Sequence, residues 1–182
     1  MPINLWKTIY NLIGWKNEIT VPYREKAVIC VAPHTSNYDF IIGLLAYRSV
    51  GRKAKFLMKK FWFFFPLKYL LRGLGGVPVD RSSGQSLTTT LAKDFDRYER
   101  INLAVTPEGT RKAVETWKTG FLRIAYNADV LIQLGVIDYK NKIVIIKDEY
   151  RPSGDFDYDL QEIRKYYATY QYAAKYPDKF IH

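Results

Sequence analysis

The sequence predicts a single α/β domain over residues 1–182, built on a mixed, largely parallel central sheet flanked by helices and preceded by an N-terminal amphipathic helix. Three observations predict it. Apolar runs of strand length alternate with stretches of helical pattern. Turn residues stand just beyond those runs, at Pro33, at Gly73, Gly75 and Gly76, and at Pro107 and Gly109. A length of 182 residues at 48% hydrophobic content supplies one sizeable core rather than two small ones. Folds of this class gather their sites in the loops beyond the carboxyl ends of the strands.

The elements follow in order. Within residues 1–20, Leu5, Ile9, Leu12 and Ile13, with Trp6 at the edge, share one side of a helical wheel, while Lys7, Thr8 and Asn11 take the other. Such a helix either anchors in a bilayer interface or docks on the core. A polar linker with Pro22 leads to Ala27–Ala32, a β-branched apolar run suited to a buried strand, which Pro33 ends. In HTSNYD, Ser36 or Asn37 is placed to cap a helix through Phe40, Ile41, Leu44, Leu45 and Tyr47. His34 is thereby placed at a strand's carboxyl end. GLGGVPVDR makes a glycine turn and a short strand delivering Asp80 and Arg81. A helix over about Leu87 to Tyr98 and a strand over Ile101 to Thr106 come next, and PEGTR then forms a tight turn presenting Glu108, Thr110 and Arg111 together. Val130 to Ile137 and Lys142 to Lys147 flank the turn YKNK as a hairpin. A Tyr-rich helix over residues 159–175 closes the chain, and residues 27–148 form the core of the domain.

Charge narrows the partners. With 28 Lys and Arg against 18 Asp and Glu, the net charge is +10, which suits nucleic acid, a membrane surface or a phosphorylated substrate. From Arg48 to Arg72 basic residues surround the apolar block Phe61, Trp62, Phe63, Phe64 and Phe65. A surface that stacks bases would expose aromatics singly, so a continuous block favours lipid over nucleic acid. No window reaches the roughly 18 uninterrupted apolar residues of a spanning helix, so the expected mode is peripheral, with Leu5, Trp6, Ile9 and Phe61 to Phe65 as candidate membrane contacts. The start of the chain lacks the pattern of a secretory signal, and one cysteine, Cys30, gives no internal disulfide. The expected location is the cytoplasmic face of the membrane.

Few residues are equipped for catalysis. His182 stands at the terminus, which leaves His34 as the imidazole base. Asp39, five positions on, meets it only if His34 lies in the turn before the helix, which is where Pro33 and the cap place it. A carboxylate on one ring nitrogen fixes the tautomer and raises the basicity of the other. Cys30 sits in the expected buried strand and reads as core packing. Scattered acids without a histidine pair give no metal site.

The order of these segments resembles the motif series of the glycerolipid acyltransferase family typified by 1-acylglycerol-3-phosphate acyltransferases, over about Val28 to Ile137. His34 and Asp39 match its His-x4-Asp motif, Gly76 to Arg81 resembles its glycine-led second motif with Pro78 where an aromatic is frequent, and Pro107 to Arg111 match its third motif residue for residue. Lys118 and Gly120 also resemble the family, whereas Leu131 and Leu134 stand where its fourth motif carries prolines. The resemblance implies an O-acyltransferase of phospholipid biosynthesis that moves a fatty acyl group from acyl-CoA or acyl carrier protein to the hydroxyl of a lysophosphatidic acid-like acceptor. It implies His34 as base, Asp39 as its orienter, and Arg81, Glu108, Gly109, Thr110 and Arg111 as the phosphate-binding acceptor site. Guanidinium forks suit that role. The thioester is a co-substrate, and no cofactor is bound. Two rivals stay open: the same chemistry on another lyso-lipid, such as a lyso-aminolipid, and a non-catalytic module that binds anionic lipid.

Overall fold

The computed structural model describes residues 4–79 and 87–181. Among them, seven strands form one sheet: β1 (Lys16–Ile19), β2 (Lys26–Val31), β3 (Lys55–Lys59), β4 (Gly76–Val79), β5 (Ile101–Val105), β6 (Ile132–Asp138) and β7 (Ile143–Tyr150). Their spatial order is β1-β7-β6-β2-β5-β3-β4. Every neighbouring pair is parallel except β6 with β7, the expected hairpin. Six α-helices accompany them: α1 (Leu5–Leu12), α2 (Tyr38–Ser49), α3 (Leu67–Leu74), α4 (Leu87–Arg97), α5 (Gly120–Asn127) and α6 (Phe156–Ala168). The α/β class, the mixed and mostly parallel sheet and the N-terminal helix are as the sequence predicts.

The central strands have no polar face because both faces are covered. Alternation along β2 sends Val28 and Cys30 into one cluster, with Leu91 and Phe95 of α4, Phe121 and Leu122 of α5, and Ile163 and Tyr167 of α6. Ile29 points the other way, beside Tyr47 and Ile146, and the same face carries Ile42, Leu45, Ala46, Ile137 and Val144. β2 therefore reads as a continuous apolar run.

Several expectations are corrected. The N-terminal helix ends at Leu12, and Lys16–Ile19, inside the stretch 1–20 given to that helix, is an edge strand paired in parallel with β7. Short polar edge strands carry little apolar signal, because one side faces solvent. The helix does dock on the core, but through Tyr10, which is buried and donates from its hydroxyl to the Lys16 carbonyl at 2.8 Å, and through Trp6. Its stripe of Leu5, Ile9, Leu12 and Ile13 faces outward, with Leu12 80% exposed. The basic and aromatic stretch contains β3 and α3, both unpredicted, and α5 was unpredicted as well. The closing helix runs over Phe156–Ala168, capped by the Asp155 side chain, and residues 171–179 form two 3-10 turns rather than more helix.

Topology opens a crevice at the carboxyl end of β2. Register pairs Cys30 with Val105, so the loops after β2 and β5 leave the sheet at the same level. The chain then leaves β2 through α2 on one face and leaves β5 through α5 on the other. Loops that diverge to opposite faces leave a gap between neighbouring strands, the usual ligand position in open α/β sheets.

Candidate active site

His34 lies in the loop between β2 and α2, and its Nδ1 stands 2.9 Å from Asp39 Oδ2. The turn expected from Pro33 and the cap is thus the turn that closes the pair. The cap differs in detail: Ser36 Oγ accepts from Tyr38 N at 3.1 Å, while Asn37 makes no capping bond. Asp39 completes the turn instead, its Oδ2 accepting also from the backbone N–H groups of Thr35 and Ser36 at 3.0 Å each. Its other oxygen, Oδ1, accepts from the Tyr139 hydroxyl at 2.6 Å. Asp39 is 4% exposed, and these bonds replace the water a buried carboxylate gives up. A carboxylate only accepts, so Nδ1 of His34 carries the proton and the Nε2 lone pair is free to receive one.

Tyr139 had no signal in the sequence. It lies 100 residues from Asp39, just past β6, in the hairpin turn YKNK. Its ring packs edge-on against Trp15 with centroids 5.2 Å apart, and its hydroxyl is held in its protonated, donating form by burial and by the Asp39 charge.

The turn after β5 is built as the sequence suggests at Gly109, whose φ of +63° is left-handed. A Cβ there would stand 3.1 Å from the flexible end of the Lys118 side chain, which would have to give by a few tenths of an ångström, so it is the left-handed backbone that favours glycine. Lys118 N donates to Pro107 O at 2.9 Å and ties the turn to the start of α5. Thr110 and Arg111 open onto a cleft alongside Thr35, Ser36, Asn37 and Tyr38. Glu108 goes elsewhere: it is buried, and its Oε1 accepts from the backbone N–H of His34 at 2.9 Å. Rather than lining the cleft with Thr110 and Arg111, it holds the loop that carries the base. The expectation for Arg81, like that for Asp80, falls outside the described residues.

Burial pushes the Glu108 carboxyl up to about 7, partly opposed by its bond from the His34 amide, and among the described residues its Oε2 has no hydrogen-bond partner. The ordinary value is 4.5, so between the two values the folded chain keeps a proton that the unfolded chain has released. Stability from protonated Glu108 is therefore full below the lower value and is lost as pH rises through about 7, by on the order of 3 kcal/mol. Glu108→Gln keeps an acceptor for the His34 amide and removes the titration. Its melting temperature should gain on that of the parent protein as pH rises from about 5 to about 8. A difference constant across that range would contradict this account.

Cys30 is fully buried and its thiol is pushed up by burial, and the Tyr167 hydroxyl donates to its backbone carbonyl at 2.6 Å. It packs the core, as expected. Among the described residues no group of three or more His, Cys, Asp or Glu could hold a metal, and no helix is long and apolar enough to cross a membrane.

Comparison with known proteins bears on this arrangement. No curated protein matches the chain. In fold it is similar to the crystal structure of the 1-acyl-sn-glycerophosphate (LPA) acyltransferase PlsC from Thermotoga maritima, with a TM-score of 0.64 and 15% sequence identity over 91% of this chain and 76% of that one. The family model described as Acyltransferase matches residues 16–137, which run from β1 through the His34 loop and the PEGTR turn to β6. A match over more than half of its length, spanning both motif loops, shows that the chain belongs to the acyltransferase family.

Proposed function

We propose that this acyltransferase moves a fatty acyl group from a thioester, acyl-CoA or acyl carrier protein, to the free hydroxyl of a lysophosphatidic acid-like acceptor at a membrane surface. The observation that carries the chemistry is the 2.9 Å contact of His34 Nδ1 with an Asp39 carboxylate held by two backbone amides and Tyr139. Nε2 takes the acceptor's hydroxyl proton as its oxygen attacks the thioester carbonyl. The C–S bond then breaks, and the thiolate leaves with the proton His34 received. No enzyme nucleophile is needed, because a thioester is already activated. The phosphate preference is supported by Arg111 and Thr110 on the cleft lined by Thr35 to Tyr38, the residues that follow the base. Purified protein given labelled acyl thioester and lysophosphatidic acid should form diacylated product. Absence of product with either donor and with every lyso-acceptor would overturn the assignment.

A membrane position is supported by the distribution of exposed aromatics. β3 is parallel to β5, so the segment after it emerges at the same end of the sheet as His34. That segment exposes Phe61 (80%), Trp62, Phe64 and Phe65 (75%), while Phe63 turns inward beneath Gly76. Lys59, Lys60, Lys68 and Arg72 flank it, and the net charge of +10 suits an anionic bilayer. Burying a large apolar side chain is worth about 1.5–3 kcal/mol. The double variant Phe61→Ser with Phe65→Ser should therefore lose roughly 100-fold in partitioning to phosphatidylglycerol vesicles. Unchanged sedimentation with vesicles would remove this segment from the interface.

A further inference from the structure

The residues after α6 form a hook that the family match does not reach. Ala173 and Phe180, at its two ends, are buried, with the Phe180 ring 5.9 Å from that of Trp117. The Ala173 carbonyl accepts from the backbone N–H of Tyr139, and the backbone N–H of Tyr176 donates to Thr35 Oγ1 at 3.2 Å. The Lys175 ammonium stands 3.7 Å over the Tyr38 ring. The hook is thus fixed to both loops that hold Asp39, and residues 174–179 cross in front of the catalytic turn.

Between its anchors the hook leaves Tyr176 and Lys179 on the wall of a cleft of about 440 Å³. That volume lies within the roughly 300–1,000 Å³ of small-molecule sites. Arg111 and Lys112 come from the PEGTR side, and the hydroxyls of Thr35 and Thr110 line it as well. No Asp or Glu lines this cleft among the described residues. Three cations sharing one cleft with hydroxyl groups and no lining carboxylate favour an anion there, and this donor set matches the several acceptor oxygens of a phosphate. Lys179 Nζ also lies 4.3 Å over the Tyr176 ring, which carries its stem along the cleft wall.

We propose that the C-terminal hook is part of the substrate site, with Lys179 binding, opposite Arg111, a phosphate group carried by one of the two substrates. This rests on the acyl transfer proposed above, and it adds a binding residue that the motif loops do not contain. The phosphate belongs either to the acceptor or to the nucleotide end of the thioester donor.

The test uses the full chain and Lys179→Gln, an exposed change that leaves Phe180 seated, with Lys179→Arg as the conservative rescue and Lys165→Gln, an exposed lysine of α6 paired to Glu162 and not among the cleft's lining residues, as the charge control. A charge-assisted contact to phosphate is worth roughly tenfold or more in binding. If the phosphate is the acceptor's, Lys179→Gln raises KM for lysophosphatidic acid about tenfold with kcat retained, and leaves KM for monoacylglycerol unchanged. If it is the donor's, KM rises for acyl-CoA and not for acyl-pantetheine. Either result, restored by Lys179→Arg and absent in Lys165→Gln, supports the hook's role. Unchanged KM for all four substrates overturns it while leaving acyl transfer intact. Should the parent protein turn nothing over, calorimetric titration with glycerol 3-phosphate and with CoA decides separately: binding weakened about tenfold in Lys179→Gln sustains the phosphate site, and equal or absent binding overturns it.

Discussion

Replacing His34 with glutamine is expected to lower kcat for acyl transfer by roughly 1,000- to 10,000-fold while leaving the melting temperature close to that of the parent protein. The imidazole side chain is 15% exposed, and its ring is held by the 2.9 Å bond to Asp39. Glutamine can donate to the same carboxylate oxygen, so the loop keeps its support from Asp39 and from Glu108, which grips the His34 backbone rather than its ring. What disappears is the ring nitrogen that accepts the acceptor's hydroxyl proton. The residual rate comes from positioning and from the activated thioester. A kcat within tenfold of the parent, measured with saturating donor and acceptor, would remove His34 from the chemistry and with it the proposed mechanism.

Asp39→Ala is expected to be worse for the fold than any change at His34. The carboxylate receives four hydrogen bonds: from His34 Nδ1, from the backbone N–H groups of Thr35 and Ser36, and from the Tyr139 hydroxyl. Alanine leaves buried donors on two separate loops without a partner, each costing on the order of 1–3 kcal/mol, with part of the sum recovered by relaxation or entering water. A loss of about 4 kcal/mol in unfolding free energy and essentially no activity should result. Asp39→Asn separates the two roles. Its amide is nearly isosteric, so an oxygen still meets the loop donors and the NH2 group meets Tyr139, and stability should fall by much less. It cannot stabilise the imidazolium, so kcat should still drop by roughly 1,000-fold or more. Chemical denaturation of both variants, set beside their kcat values, checks this. An asparagine variant with parental kcat would show that the charge of Asp39 has no part in catalysis.

The Glu108 result illustrates how a motif can be legible while its working is not. The run Pro107 to Arg111 marks the site in the sequence, and Gly109 marks the tight turn within it. Which side chains face the cleft depends on how that turn meets the loop after β2. Thr110 and Arg111 face outward, and Glu108 turns inward to the His34 amide 74 residues away in sequence. A pentapeptide pattern carries no information about that pairing.

The same boundary runs through the fold. Buried strands and long amphipathic helices announce themselves because burial on both faces demands continuous apolar runs, and burial on one side demands a 3.6-residue period. That is why β2, β5, the β6–β7 hairpin, α1, α2 and α4 were readable. Edge strands such as β1, and β3 within its basic and aromatic surroundings, are half solvated, so their composition follows their neighbours and the solvent rather than a strand period.

By itself the sequence determined the fold class, the His34 and Asp39 pair and the identity of the motif turn, since all of these follow from local pattern and turn chemistry. The tertiary structure alone decided that Tyr139 locks Asp39, that Glu108 supports the base from behind, and that Tyr176 and Lys179 reach the cleft. It also decided that α1 docks through Tyr10 and leaves its apolar stripe outward. The physical reason is common to all four. Each depends on sheet register and helix packing that bring together residues far apart in the chain, and those contacts are set by the burial of the whole core rather than by the residues that make them.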